Sequence, residues 1–190
     1  IFTKHIDEGR FPGIQWQINI KNEIYSGKVG CNNIETKEPV LDNTIYRIWS
    51  MTKPVVAVAA LQLLEQNKIQ LDDLITKYLP EFSNLKVLKN IDSFIDDVED
   101  VRIHPTIKDL FLHTAGFTYN FLADPVGRKY DNIKLFHSDT TSLEEEIKKL
   151  AKVPLLYQPK NKWVYSVSMD VLGRILEVVL KDTIQNILQK

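Results

Sequence analysis

The stretch that decides the reading is Ile48-Trp49-Ser50-Met51-Thr52-Lys53-Pro54-Val55-Val56-Ala57-Val58-Ala59-Ala60-Leu61-Gln62-Leu63-Leu64. From Thr52 onward it is a helix. Pro54 suits the first turn, where its missing N–H has no partner to lose, and Asn67 suits the end. The residues are apolar almost all round, so this helix is expected to be buried rather than amphipathic. Ser50 stands where an extended piece, 44–48, enters it. Lys53 follows three residues later, close to one turn at about 3.6 residues per turn, so Oγ and Nζ share a face and can meet.

That placement has chemical content. A serine hydroxyl is a poor nucleophile until a neighbouring base takes its proton, and lysine serves as that base only when burial or nearby positive charge destabilises its ammonium. The apolar run after Lys53 offers burial. The helix N-terminus offers free N–H groups and a positive dipole end that favour a developing oxyanion, with the N–H of Ser50 itself one donor. The bland alternative is that Ser50 caps the helix while Lys53 reaches into water. Spacing alone does not choose, because Ser83-Asn84-Leu85-Lys86 repeats it in a loop after Pro80, where a structural role is expected.

Upstream, Ile14, Trp16, Ile18 and Ile20 alternate before the polar break Lys21-Asn22-Glu23, and Ile24 and Val29 follow: a strand, a tight turn and a second strand. Downstream the chain reads as mostly helical. A short helical piece begins at Leu71 and stops at Pro80, and another occupies 105–112 with Thr106 near its start. A third, 142–152, opens with the capping box of Ser142 and Glu145. A last helix is expected over 171–188. The acidic run 90–100 lacks the ligand spacing and turn glycine of a calcium loop and reads as solvated surface. No convincing later strand is found. A two-stranded hairpin is marginal alone, so a missing C-terminal segment or a second chain is expected to complete its sheet. The expected divisions are a sheet-containing region 1–48, a helical lobe 49–166 and a helix 167–190 returning towards the sheet.

Composition narrows the function classes. The 190 residues, 44% hydrophobic and 26% charged, are those of an ordinary globular domain, and 24 basic against 25 acidic residues leave a net charge of -1. No positive field exists to neutralise phosphates, so nucleic acid is not an expected partner. The apolar stretch 54–64 is about half of the ~20 residues that span a bilayer. Cys31 stands alone, which excludes an internal disulfide. His5, His104, His113 and His137 show no metal-ligand spacing, and a structural or surface role is expected of each. The compartment stays open between cytoplasm and periplasm, for a chain expected to be soluble.

Further segments fall into an order. Ile48 to Pro54, then Leu71-Asp72-Asp73 with Lys77-Tyr78-Leu79-Pro80, then Leu112-His113-Thr114-Ala115-Gly116-Phe117, then Trp163-Val164-Tyr165-Ser166 followed by Leu172-Gly173, together resemble the serine β-lactamase-related hydrolases. That group includes class C β-lactamases, D-alanyl-D-alanine carboxypeptidases and family VIII esterases. The resemblance runs from about Phe11 to the end of the chain. It implies an α/β (α+β) fold, an antiparallel sheet flanked by helices with a mostly helical second lobe, here with the C-terminal sheet strands missing. It further implies Ser50 as the acylated nucleophile, Lys53 as its base and Tyr165 as the proton shuttle, with no metal or organic cofactor required. His113 matches a position best read as structural, and Ala115 replaces a more usual serine.

Two departures shape the expectation. Where the lactamases and peptidases carry Tyr-x-Asn, this chain has Tyr165-Ser166-Val167, and valine cannot bind a substrate amide, which favours the esterase branch. The family's downstream Lys-x-Gly or His-x-Gly motif, which supplies another oxyanion donor, has no counterpart after Tyr165, so the 190 residues are expected to be nearly inactive alone. Val167 and Tyr119 are candidates for lining the substrate site, with Phe121 beside Tyr119. The expectation is a serine hydrolase acting on small-molecule esters or amides. A β-lactamase or D-Ala-D-Ala carboxypeptidase, and a non-catalytic scaffold of the same fold, are the alternatives.

Overall fold

A computed structural model of the chain describes residues 1–137 and 140–189. It divides into two compact units, 1–49 and 50–190; Lys190, the end of the expected final segment, lies outside the described residues.

The first unit holds the helix α1 (Phe2–Asp7) and the strands β1 (Gly13–Ile20) and β2 (Glu23–Gly30), which pair antiparallel from Gly13 opposite Gly30 to Ile20 opposite Glu23. Lys21 and Asn22 both take positive φ, 49° and 70°. Two such residues make the tight turn whose twist matches paired strands. The Trp16 ring lies over its cross-strand partner Gly27, where an added Cβ would come within 2.6 Å of it. Among the described residues β1 and β2 pair only with each other, and Ile18, Ile20 and Ile24 are exposed. The extended piece expected at 44–48 forms no strand. An extended backbone becomes a strand only by pairing, and among the described residues no ladder partner meets it.

The division falls within a 3₁₀ turn, Trp49–Met51, and the second unit continues from it into α2 (Thr52–Glu65). After it come β3 (Lys86–Leu88), β4 (Val98–Asp100), α3 (Ile107–Phe111), α4 (Pro125–Asn132), α5 (Leu143–Leu150), α6 (Ser168–Leu180) and α7 (Ile184–Gln189). The core gathers α2, α3, α5 and α6 around side chains such as Leu63, Phe82, Leu110, Phe117, Ile147 and Leu172. Local sequence explains the helix starts. Thr106 and Asp109 form a capping box on α3, and Ser142 and Glu145 the expected one on α5. Asp124 caps α4 while Pro125 occupies its first turn. Each satisfies N–H groups that the helix itself cannot.

The structure corrects several expectations. β3 and β4 form a small antiparallel pair that periodicity did not reveal, being three residues each. The final helix is two: Lys181 caps α6 in the left-handed conformation, φ 54°, and Thr183 restarts the chain, its C=O accepting from the Ile187 N–H at 3.0 Å. α2 is not buried all round. Val56, Ala60 and Leu63 are buried in a stripe facing α6 and α7, but Val55 is 44%, Val58 55% and Leu61 48% exposed. Apolar character on every face sets what a helix can bury, and the neighbours present decide what it does bury. Among the described residues no helix is long and apolar enough to cross a membrane.

Candidate active site

Three segments of the second unit converge. The first is the turn before α2, which carries Ser50, and the first turn of α2, which carries Lys53. The helix cap is Met51 with no side-chain hydrogen bond, so Ser50 is free of the capping role that the bland reading gave it. Trp49, just before Ser50, has φ 46°. For a bulky side chain that conformation costs on the order of 1–3 kcal/mol.

The second segment, 113–119, and the third, 156–167, run side by side. The N–H groups of Leu156, Lys160, Val164 and Val167 donate to the carbonyls of Gly116, Thr114, His113 and Thr118 at 2.8, 2.8, 3.0 and 3.2 Å. These bonds carry Tyr119 and Tyr165 to the same end, where their rings stack at 5.5 Å. The Tyr119 turn is itself fixed by α4. The buried Asp124 carboxylate accepts from Thr118 Oγ1 at 2.6 Å and from the Gly127 N–H at 2.7 Å. An added Cβ on Gly127 would stand 2.5 Å from the carbonyl oxygens of Tyr119 and Leu122, so only glycine lets helix and turn approach this closely.

At the meeting point the Tyr165 phenol donates to Ser50 Oγ at 2.6 Å, and Lys53 Nζ lies 3.4 Å from the same oxygen. Lys53 also donates to the Tyr119 hydroxyl at 3.3 Å and sits 4.9 Å above the Tyr165 ring centroid. The structure thus brings Ser50, Lys53, Tyr165 and Tyr119 together. Val167, the other candidate for lining the substrate site, is 1% exposed and belongs to the buried core. Ser83 Oγ donates to the carbonyl of Pro80 at 2.7 Å, a local loop bond, as expected for the second Ser-x-x-Lys.

The charge pattern inverts one expectation. Burial pushes the Lys53 ammonium towards losing its proton, but hydrogen bonds with Tyr165 and Tyr119 outweigh it, and its pKa is raised. Burial likewise opposes ionisation of Tyr165, yet the hydrogen bond with Ser50 and the contact with Lys53 leave its pKa lowered. The lysine that sequence reasoning made neutral is therefore held charged, because two phenols face it where apolar walls were expected. Asp170, in the first turn of α6, has its pKa pushed up to about 6 by burial, against the opposing pull of the Lys53 charge. Sequence reasoning missed Asp170 as a neighbour of this group, and no spacing signal pointed to it. Among the described residues no cluster of His, Cys, Asp and Glu could hold a metal ion.

On the rim, Phe121 stacks on Tyr119 at 4.8 Å and Trp163 meets His113 edge-on at 6.3 Å; both are 67% exposed. Beneath the site the His113 ring lies 5.2 Å from that of Tyr165.

Esterase EstB of Burkholderia gladioli is 32% identical over 183 residues, 93% of this chain and 43% of that protein. The solved structure of EstCE1, a hydrolase with promiscuous acyltransferase activity, superposes with a TM-score of 0.83 at 29% identity, over 98% of this chain and 47% of that one. Unliganded simvastatin synthase (LovD) from Aspergillus terreus gives 0.77 at 25%, over 99% and 49%. The chain spans less than half the length of each of these three relatives. The fold is that of β-lactamases and DD-peptidases, mixed helices with small sheets. With the model of the Beta-lactamase family matching residues 1–190 from end to end, the chain belongs to that family.

Proposed function

We propose that the protein is a serine hydrolase that transfers acyl groups from small esters through an acyl-enzyme on Ser50. The observation that carries this reading is the pair of contacts on Ser50 Oγ, Tyr165 at 2.6 Å and Lys53 at 3.4 Å. Two proton-handling groups on one serine oxygen are what nucleophilic catalysis needs, and neither a cap nor a surface residue needs them. The names of the relatives, an esterase and a hydrolase with promiscuous acyltransferase activity, support the same class.

The directions in which the Lys53 and Tyr165 pKa values move support one division of roles. Lys53 stays an ammonium and lowers the cost of a Tyr165 phenolate. Once the phenol has given its own proton to solvent, Tyr165 accepts the Ser50 proton along the line on which the phenol donates at rest, while Oγ attacks the carbonyl carbon. The electron pair goes to the carbonyl oxygen, which the Ser50 N–H helps to stabilise. Collapse breaks the ester C–O bond, and the leaving alkoxide takes the proton back from Tyr165. In the second half a water, or an alcohol acceptor, gives its proton to the Tyr165 phenolate as its oxygen attacks the acyl carbon; collapse breaks the acyl C–Oγ bond, and Ser50 Oγ takes the proton from Tyr165 and leaves as a hydroxyl.

Esters are favoured over lactam amides because the position two residues beyond Tyr165 is a buried valine that offers a substrate amide no hydrogen bond. The test is the turnover of a p-nitrophenyl ester against nitrocefin, with Ser50→Ala as the control. Faster ester turnover, abolished by the substitution, is expected. Faster nitrocefin turnover would instead assign a β-lactamase, and turnover undiminished in Ser50→Ala would end the reading.

A further inference from the structure

His113 has a bonding pattern that a filler of space would not need. Its Nδ1 lies 3.2 Å from the backbone N–H of Ser166, which donates to it, and 3.1 Å from Ser166 Oγ. A backbone N–H can only donate, so Nδ1 must carry a lone pair and the ring proton must sit on Nε2. Ser166 Oγ is in turn 2.8 Å from Ser168 Oγ, at the start of α6. Ser166 is the residue after Tyr165, and the His113 ring also lies beneath the Tyr165 ring. The backbone of His113 is tied to the same segment, its C=O accepting from the Val164 N–H at 3.0 Å, and it holds φ 54°. A non-glycine residue kept in that conformation is strained and persists only where its surroundings over-determine it.

We infer that neutral His113 is the positioning residue for Tyr165: its Nδ1 pins the backbone just after the tyrosine while its ring supports the phenol, so that protonating His113 releases the phenol from Ser50. The proposal rests on the reading of Ser50 as nucleophile. Protonation would turn the Nδ1 acceptor into a donor aimed at the Ser166 N–H, replacing an attraction by a repulsion. Burial, then the nearby Lys53 charge, lower the His113 pKa, which keeps the ring neutral at neutral pH. The other titratable group facing it is Tyr165, whose ring lies 5.2 Å away, and the neighbouring Thr114 is held by the Asp109 carboxylate and by the backbone N–H of Lys160. The sign follows from the lowered value. The seat is intact above the ordinary histidine value of 6.5 and is lost as the pH falls through the lower folded value.

Two variants and two readouts test this. In His113→Asn the side-chain oxygen stands near the place of Nδ1, accepts from Ser166 and does not titrate, and asparagine tolerates positive φ. His113→Gly removes ring and acceptor while relieving the backbone strain, so any defect is not one of strain. The first readout is the rate of fluorophosphonate labelling of Ser50 against pH, by intact mass. His113→Gly is expected to be slower by about tenfold to a hundredfold, as for a misplaced catalytic group. His113→Asn is expected to keep most of the wild-type rate and to lose the part of the acid limb that tracks the His113 titration. The Asp170 transition is common to both proteins and cancels in the comparison.

The second readout is NMR of the ring nitrogens and of the Tyr165 ring, which needs no activity. An unprotonated, hydrogen-bonded Nδ1 is expected, with Tyr165 resonances moved in His113→Gly and little changed in His113→Asn. A proton on Nδ1, or equal labelling rates in wild type and His113→Gly, would overturn the proposal. If the wild type does not label at Ser50, the nucleophile reading fails and the NMR result alone decides whether His113 seats Tyr165.

Discussion

At the scale of single residues, the proposed chemistry depends on a proton that passes between Ser50 and Tyr165 beside the Lys53 ammonium. If Tyr165 takes that proton, Tyr165→Phe leaves the stacked ring in place and removes only the hydroxyl. The rate of Ser50 acylation should then fall by about 10²- to 10⁴-fold, the usual worth of a positioned acid–base group. Lys53→Met tests the charge relation. Its ammonium is one of the influences that lower the Tyr165 pKa, so without it the phenol ionises at higher pH. The pH at which acylation accelerates should shift upward in Lys53→Met, read from the pH–rate profile; an unshifted profile would mean that Lys53 does not act on the phenol. The Ser50–Lys53 contact was legible in the sequence because helical spacing is local geometry. Tyr165 was legible only through the order of motifs, and the Lys53–Tyr119 bond not at all, because it depends on how segments 66 residues apart approach each other.

At the scale of elements, the site is only as well placed as the turns that carry it. Asp124 caps α4 and at the same time holds Thr118, next to Tyr119. Asp124→Ala strands the buried Thr118 hydroxyl and the Gly127 N–H. It should destabilise the protein by about 1–3 kcal/mol, measured as a lowered denaturation midpoint with an unchanged m value. The signals for α4 were present in the sequence, an aspartate cap followed by Pro125, but its eight residues bury only Val126 and Tyr130 as large side chains, one helical spacing and too little to establish a period. β3 and β4 are too short to show one. The break between α6 and α7 is set by the left-handed conformation of Lys181, which its residue type does not announce. By contrast the capping box of Ser142 and Glu145 was readable because four residues contain the whole device.

At the scale of the whole molecule, α2 carries the site on a helix buried along one stripe. Ala60 is fully buried and Val58 more than half exposed, two residues apart. Ala60→Leu should therefore overpack the core and cost about 1–3 kcal/mol, whereas Val58→Ser should stay within about 0.5 kcal/mol. Thermal or denaturant melts of the two variants would show the difference, and equal effects would contradict one-sided burial. The class of fold was legible from the hairpin, the helices and the motif order, while the depth of burial of α2 was not, because it depends on which neighbours the helix meets. The central claim, that Ser50 is a nucleophile made reactive by Tyr165 and Lys53, is tested most directly by treating the protein with a fluorophosphonate and mapping the adduct by mass spectrometry. A single adduct on Ser50, absent in Ser50→Ala and formed far more slowly in Tyr165→Phe, is the result this account predicts; an adduct on Ser83 or another residue, or one that persists in Ser50→Ala, would contradict it.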